Sequence, residues 1–174
     1  SADQVGLLYE AHDYSSHGKT VDHIIIMTYE WGYTWSEAMP VAPLDRVEEV
    51  IAYAVSEIPS EKILMGIPNY GYVFNVPKIE DLPATSISNY EAIEIAKREN
   101  ARINFDEVSM TPYFNFTKDG KEYEVHFEDA RSIKSKIMLA IEYNLLGLSF
   151  WTLMNYFRPT WLLVDYYLDV QKVI

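Results

Sequence analysis

The sequence predicts an α/β protein and, more specifically, an incomplete (β/α)8 barrel. Three runs that are apolar on both faces are typical of parallel strands buried between layers. Each run ends in polar or aromatic residues and is followed by a helical pattern, so the chain repeats a βα unit. A closed barrel takes about 250 residues and eight strands, whereas this chain has 174 residues and three such units. No glycine-rich phosphate loop follows a predicted strand, which weakens the alternative of a doubly wound sheet.

The first βα unit is the simplest of the three. The predicted strands lie within residues 23–30, 62–70 and 145–152. After the first strand, apolar residues recur at helical spacing from Leu44 to Ile58, behind Pro43, a residue favoured in the first turn of a helix. The polar and aromatic residues at the strand ends belong to one edge of the sheet, since the carboxyl ends of parallel strands meet there.

Two further helices follow later in the chain. Ser88 and Glu91 have the spacing of a capping box, which predicts a helix from there to about Asn100. Another apolar repeat predicts a helix over residues 130–143, with Asn144 as its C-cap. The acidic residues just before this helix are interpreted as charges that favour a helix N-terminus, not as a paired-carboxylate glycosidase site; they are Glu128 and Asp129.

Between these two helices the apolar period changes from 3.6 to 2. The alternating segments flank Asp119-Gly120, a strong signal for a β-hairpin over residues 113–127. The second βα unit is about 44 residues longer than the first. We therefore predict one fragment, residues 1–174, that carries an inserted subdomain at about residues 73–129.

Composition excludes several classes of function. The 14 Lys and Arg against 26 Asp and Glu give a net charge of −12, without a basic cluster that could bind nucleic acid or an anionic membrane. There are 0 Cys, and the histidines at 12, 17 and 23 fit no strong zinc spacing, so neither a metal nor another cofactor is expected. The longest apolar runs are far shorter than a membrane span. Composition leaves the compartment open.

Four motifs in order resemble glycoside hydrolase family 18, which includes the chitinases. They are residues 27–32, 40–44, 62–72 and 147–151. Within that family, residues 11–14 and 127–132 resemble the bacterial spore germination and cortex-lytic branch. The resemblance extends from about Gly6 to Val173, and it implies that the three strands are the sixth, seventh and eighth of a TIM barrel. The hairpin is then the family's insertion after strand seven.

The resemblance also implies a substrate-assisted reaction, in which the 2-acetamido oxygen of the sugar attacks the anomeric carbon. Tyr29 matches the residue that binds this group, Glu30 matches its acidic neighbour, and Trp151 matches the floor under the sugar. Trp31, Asn69 and Tyr70, with Tyr72 and Trp35, are candidates to line the groove. Purely structural roles remain open for all of them: Tyr29 and Glu30 as a strand-end pair, Trp151 as core, and the loop tryptophans as cover for the barrel rim.

One departure from the family pattern limits the prediction. The catalytic Asp-x-x-Asp-x-Asp-x-Glu run of strand four is absent from these residues. The parent protein is predicted to cleave β-1,4 bonds of N-acetylglucosamine-containing polysaccharides, in spore cortex peptidoglycan or chitin, outside the cell or in the spore envelope. The 174-residue chain alone is predicted to be inactive. The alternatives are a non-catalytic, lectin-like glycan-binding module and an excised piece that binds nothing. An open barrel edge further predicts a homodimer.

Overall fold

The computed structural model describes residues 12–171. It confirms an α/β protein, which here contains two sheets. The strands are β1 (Ile24–Ile26), β2 (Ile63–Pro68), β3 (Tyr70–Val76), β4 (Thr85–Ser88), β5 (Asn104–Asp106), β6 (Thr111–Lys118), β7 (Lys121–His126) and β8 (Gly147–Trp151). The α-helices are α1 (Tyr14–Thr20), α2 (Leu44–Glu57), α3 (Asn89–Arg98), α4 (Ala130–Glu142) and α5 (Arg158–Tyr167), and a 3₁₀ turn covers Ser60–Lys62.

The first sheet is parallel and has the order β1-β2-β8. It contains the three strands expected from the apolar runs. Helices α2 and α4 bury their apolar faces beside it, and Val47, Ile51, Ile133 and Ile137 form one core cluster with Met65 of β2. Within residues 12–171 this sheet has three strands and does not close into a barrel.

The first two strands differ from their predicted extents. β1 is short because the chain turns after Ile26, where the Thr28 N–H donates to the Ile26 carbonyl. The second predicted strand, residues 62–70, divides at Asn69. β2 ends at Pro68, and the chain then enters β3, which belongs to the other sheet. The sequence pattern did not predict this change of sheet, since both strands are apolar.

The second sheet is antiparallel and has the order β4-β3-β7-β6-β5. Strands β6 and β7 form the hairpin, whose two ends meet where Lys118 pairs with Lys121. Both residues of its turn have positive φ, 51° at Asp119 and 72° at Gly120, a conformation that Asp and Gly tolerate best. Helix α3 packs on this sheet through a separate core cluster that includes Ala92, Phe114 and Val125.

Helix ends follow the sequence signals closely. Ser88 accepts from the Glu91 N–H and Glu91 accepts from the Ser88 N–H, so the predicted capping box begins α3. Asp129 is the N-cap of α4, as expected of a residue at that position. Two details differ. The C-cap of α4 is Tyr143, and Asn144 follows it with a φ of 50°. Glu128 is fully buried and binds Lys136, so it does not act as a solvated helix-end charge.

Glu124 and His126, both on β7, form a partly buried pair in the second sheet. The His126 Nε2 lies 2.6 Å from Glu124 Oε1, and the Asn115 amide donates to Glu124 Oε2 over 3.0 Å. These hydrogen bonds, the one with His126 first, hold the pKa of the Glu124 carboxyl below its usual value. A carboxylate with a lowered folded-state pKa stabilises the fold above its unfolded-state pKa, and this contribution is lost as the pH falls through the folded-state pKa.

We therefore expect Glu124→Gln to be less sensitive to acid than the parent chain. Between about pH 7 and about pH 3, the parent should lose about 1 kcal/mol more free energy of unfolding than the variant. Urea unfolding at both pH values measures the difference. Glu122→Gln is the matched control, because Glu122 is an exposed residue of the same strand, and it should lose as much stability as the parent. Equal acid losses in Glu124→Gln and the parent would contradict the prediction.

Among the helices of residues 12–171, none combines the length and the apolar character that crossing a membrane requires. Over the same residues, no three His, Asp or Glu side chains converge in a group that could hold a metal ion.

Candidate functional site

A cavity of about 430 Å³ lies where β1, β2 and β8 end. The turn after β1, the beginning of β3 and the end of β8 supply most of its wall. It is lined by Met27, Tyr29, Glu30, Tyr70, Tyr72, Ser86, Trp151, Thr152 and Asn155. Five residues predicted from the sequence therefore share one cavity: Tyr29, Glu30, Tyr70, Tyr72 and Trp151. They meet because the carboxyl ends of parallel strands lie at the same edge of a sheet.

The side chain of Glu30 is held by two phenols. The Tyr70 hydroxyl donates to Glu30 Oε1 over 2.5 Å, and the Tyr72 hydroxyl donates to the same oxygen over 3.1 Å. Glu30 has a φ of 69°, unusual for a residue other than glycine, so the backbone turns there. Burial, and next the hydrogen bond to Glu30, raise the pKa of Tyr70 far above its usual value. Tyr70 therefore remains a donor, and Glu30 an acceptor with a defined position.

Tyr29 is half-buried beside Glu30. Burial, followed by the charge of Glu30, raises the pKa of the Tyr29 phenol. Its hydroxyl therefore keeps its proton at neutral pH and can donate a hydrogen bond to a carbonyl oxygen. The ring lies against β2 at Gly66, where a side chain would have no room: an added Cβ would be 2.8 Å from Tyr29 Cε1 and 2.8 Å from the Ile26 carbonyl oxygen.

Trp151 ends β8 with its side chain 60% exposed. The indole at this strand end is therefore largely open to solvent in the described chain. The peptide bond to Thr152 is cis, and the Trp151 carbonyl accepts from the Asn69 N–H over 2.7 Å. The backbone that carries the exposed indole is therefore hydrogen-bonded to the residue that follows β2.

Three predicted groove residues do not line this cavity. Asn69 is fully buried, so it does not line the cavity as expected; its polar atoms bond to the loop after β8. Trp31 lines a cavity of about 440 Å³ together with Tyr113 and His126, and also another cavity that Tyr29 and Glu30 share. Its N–H donates to the Val41 carbonyl, and the residue packs against the core of the parallel sheet. Trp35 is exposed and lines none of these cavities.

Sequence reasoning missed several wall residues. They are Met27, Ser86, Thr152 and Asn155. Met27 directly precedes the Thr-Tyr-Glu segment. It ends an apolar run, which predicts burial, but the residue is 71% exposed. Ser86 lies on β4, a strand for which the sequence gives no apolar pattern. Its approach to the cavity depends on the pairing of β4 with β3, where Tyr72 faces Ser86.

The close approach of Tyr29 to β2 can be tested. We expect Gly66→Ala to displace the Tyr29 ring and to lower the free energy of unfolding by about 1–3 kcal/mol, because the backbone carbonyl of Ile26 cannot move as a side chain can. Thermal unfolding and the NMR resonances of the Tyr29 ring report the two effects. Gly147→Ala is the matched control in β8, since its added Cβ would make only an ordinary contact of 3.4 Å with Leu64. Similar effects at both glycines would contradict the prediction.

Comparison with known proteins was consistent across three kinds of search. The family described as Glycosyl hydrolases family 18 matches residues 1–155. The cortical fragment-lytic enzyme of Bacillus subtilis (strain 168) is 44% identical over 174 residues, which cover 99% of this chain and 40% of that protein. The cortical fragment-lytic enzyme of Bacillus anthracis is 38% identical, over 99% of this chain and 41% of that protein.

Solved structures agree with the sequence relatives. The spore cortex-lytic enzyme SleL of Bacillus cereus superposes with a TM-score of 0.96 at 38% identity, over 99% of this chain and 40% of that chain. SleL of Bacillus megaterium QM B1551 superposes with a TM-score of 0.94 at 40% identity, over 100% of this chain and 40% of that one. The chain thus spans about two fifths of the length of the proteins to which it is most clearly similar.

Proposed function

Because the chain belongs to the glycosyl hydrolases family 18, we propose that it is the C-terminal part of the catalytic barrel of a spore cortex-lytic glycosidase. The observation that carries the proposal is the shared cavity of Tyr29, Glu30, Tyr70 and Trp151. It offers a phenol donor, a fixed carboxylate and an exposed aromatic surface at the carboxyl ends of parallel strands. A bound sugar ring needs these groups for its polar edge and its apolar face.

In the proposed reaction these residues bind and orient the substrate. The Tyr29 phenol donates to the 2-acetamido oxygen, which then attacks the anomeric carbon of the same sugar. Trp151 lies under that sugar, and the phenols of Tyr70 and Tyr72 keep Glu30 beside Tyr29. The acid that protonates the leaving oxygen would come from a segment outside these 174 residues, because they contain no Asp-x-x-Asp-x-Asp-x-Glu run. Loss of such an acid typically costs about 10²–10⁴ in rate, so the chain alone would be inactive.

The open edges of the parallel sheet support an incomplete barrel. Among residues 12–171, β1 pairs with β2 alone, and the residues at and just beyond its free edge include Ile25, 53% exposed, and Met27, 71% exposed. We assign the three strands to positions six, seven and eight of the barrel, and residues 73–129 to an insertion. Five further strands would close the barrel between the two free edges, the first and the last of them pairing with β8 and β1. In the isolated chain, a second copy could use the same edge, which would give the homodimer that static light scattering can detect.

The source gene offers a direct test. We expect the reading frame upstream of Asp3 to encode about five more βα units, the fourth strand ending in Asp-x-x-Asp-x-Asp-x-Glu. A gene that begins near Asp3 would contradict the proposal. It would favour the lectin-like module, which would keep Tyr29 and Trp151 as a glycan-binding surface without chemistry.

An activity assay tests the substrate class. Cortical peptidoglycan fragments and chitin oligosaccharides, both N-acetylated β-1,4 glycans, are incubated with the 174-residue chain and with the product of the complete gene. New reducing ends are expected only with the complete product, and mainly from the cortical fragments. Hydrolysis by the 174-residue chain above that of its Trp151→Ala variant would contradict the proposed division of the site. The spore envelope is the proposed place of action.

A further inference from the structure

A chain of buried polar groups connects helix α4 with the loop that follows Trp151. Its four side chains are almost completely shielded from water: Lys136, Glu128 and Asn69 are 0% exposed and Asn89 is 1% exposed. Buried polar groups cost free energy unless they are hydrogen-bonded, and such residues seldom occupy a core without a specific arrangement of partners. These four come from four different segments, which the chain of contacts joins.

Asn69 is the member that contacts the candidate site. Its backbone N–H donates to the Trp151 carbonyl over 2.7 Å. Its side-chain amide donates to the Thr152 carbonyl over 3.3 Å and to the Asn155 carbonyl over 2.5 Å. One residue therefore satisfies three carbonyl groups of the segment that carries the exposed indole.

The amide of Asn69 is itself held from the opposite side. Its Oδ1 lies 3.4 Å from Asn89 Nδ2, at the first residue of α3. Asn89 Oδ1 accepts from the Glu128 backbone N–H over 3.0 Å, and Glu128 Oε2 accepts from Lys136 Nζ over 2.9 Å. The first two contacts fix the orientation of the two amides, since an amide has distinct donor and acceptor ends. The ion pair is joined to them only through the backbone of Glu128.

The segment after Trp151 depends on these contacts because it has few others of its own. Leu153 is 69% exposed and Met154 is 90% exposed, so neither side chain anchors the loop in the core. A loop without buried apolar contacts opens at low cost. Trp151 itself pairs with Pro68 in the parallel sheet, so the side-chain amide of Asn69 restrains the backbone directly after it, at Thr152 and Asn155.

We propose that Asn69 is a positioning residue, which holds Trp151 in place through the backbone of residues 151–155, and that Asn89, which is bonded to the Glu128 backbone N–H, orients Asn69. Full burial excludes direct contact between Asn69 and a sugar. The consequence for sugar binding rests on the proposed function, whereas the position of the Trp151 indole does not. An experiment can therefore separate the two.

The position of the indole is measured by ¹H–¹⁵N NMR of the 174-residue chain, whose four tryptophans give four indole signals. A Trp151→Phe variant assigns the signal of interest. Asn69→Ala is expected to move or broaden the Trp151 signal by more than its linewidth, with Trp31 and Trp35 unchanged. Asn89→Ala should move the same signal by a smaller amount. If Asn69→Ala fails to fold, the Asn89→Ala variant tests whether the Trp151 indole depends on the buried amides. A Trp151 signal that stays in place in the folded variants would overturn the proposal.

Two controls separate positioning from general destabilisation. Asn115→Ala removes an exposed amide that contacts Glu124, far from the chain of buried groups. Ile58→Ala destabilises a different core cluster, formed with Ile26, Ala54 and Ile63. Neither should shift the Trp151 indole. If Ile58→Ala shifted it as much as Asn69→Ala, the effect would be general and the proposal would fail.

A double-mutant cycle measures the consequence for sugar binding, with chitotetraose as the probe. Asn69→Ala is expected to weaken binding about tenfold in the parent chain and to have no further effect in the Trp151→Ala chain, because the two changes act through the same contact. Equal effects in both backgrounds would contradict an action through Trp151. If the parent chain bound no saccharide, the proposed function would be contradicted, while the indole signals would still decide the positioning role.

Discussion

Lys136→Met is expected to lower the free energy of unfolding by about 3–5 kcal/mol, because it removes one partner of a fully buried ion pair. Lys136 Nζ lies 2.9 Å from Glu128 Oε2, and neither side chain reaches solvent. Burial raises the pKa of Glu128, and the ammonium of Lys136 opposes that rise. Without Lys136, the carboxylate must remain charged in the core or take up a proton. Urea unfolding at neutral pH measures the cost.

Two further variants identify the source of this loss. Lys97→Met removes a lysine from an exposed pair with Glu94, 3.1 Å apart, and should change stability by less than about 0.5 kcal/mol. Adding Glu128→Leu to Lys136→Met should restore most of the loss, because no charge is then buried without a partner. A double variant that is no more stable than the single one would contradict this account.

The loss in Lys136→Met should also depend on pH. In this variant the pKa of Glu128 rises further, so the folded chain binds a proton that the unfolded chain has released. Folding that takes up a proton is weakened as the pH rises between the unfolded-state and the folded-state pKa. We therefore expect a smaller loss at about pH 5 than at about pH 8. The opposite trend would mean that Glu128 is not the group left unpaired.

Trp151→Ala is expected to weaken the binding of chitotetraose by about 30-fold, or about 2 kcal/mol. The indole is 60% exposed at the end of β8 and forms part of the cavity wall beside Tyr29. Its replacement removes the large flat apolar surface on which the C–H face of a sugar can stack. Isothermal titration calorimetry of the 174-residue chain at high saccharide concentration measures the change.

Trp35→Ala is the matched control for this measurement. Trp35 is 51% exposed, similar to Trp151, but it lies outside the cavity that contains Tyr29. Its replacement should leave the affinity unchanged within about twofold. Equal losses at both tryptophans would indicate binding to exposed aromatic rings in general, and would contradict a specific site at the strand ends.

Local patterns were sufficient for most of the secondary structure. The apolar runs, the Ser88 capping box and the Asp119-Gly120 turn all correspond to elements of the structure. Helices α1 and α5 were not predicted, although α5 contains an apolar run at residues 161–164. Strands β3, β4 and β5 were also missed, since two of them have four residues or fewer.

The candidate site was predicted only in part. Tyr29, Glu30, Tyr70 and Trp151 line one cavity because all of them lie at the carboxyl ends of the parallel strands. Tyr29 and Glu30 lie in the turn after β1, Tyr70 begins β3 just after the end of β2, and Trp151 ends β8. Trp31 does not line that cavity; it lines one with Tyr113 and His126 and another with Tyr29 and Glu30. The bonds from Tyr70 and Tyr72 to Glu30 span 40 and 42 residues and have no local signature.

The sequence by itself determined the α/β class, the order of the βα units, the family and the strand ends at which aromatic and acidic residues collect. Only the tertiary structure decided that Asn69 is buried beneath the Trp151 loop and that Glu128 pairs with Lys136. The physical reason is the separation along the chain of the residues that interact in each case. Periodicity and capping depend on residues a few positions apart, so a sequence displays them. The partner of a buried polar group is chosen by packing between distant segments, as with Asn69 and Asn155, which are 86 residues apart.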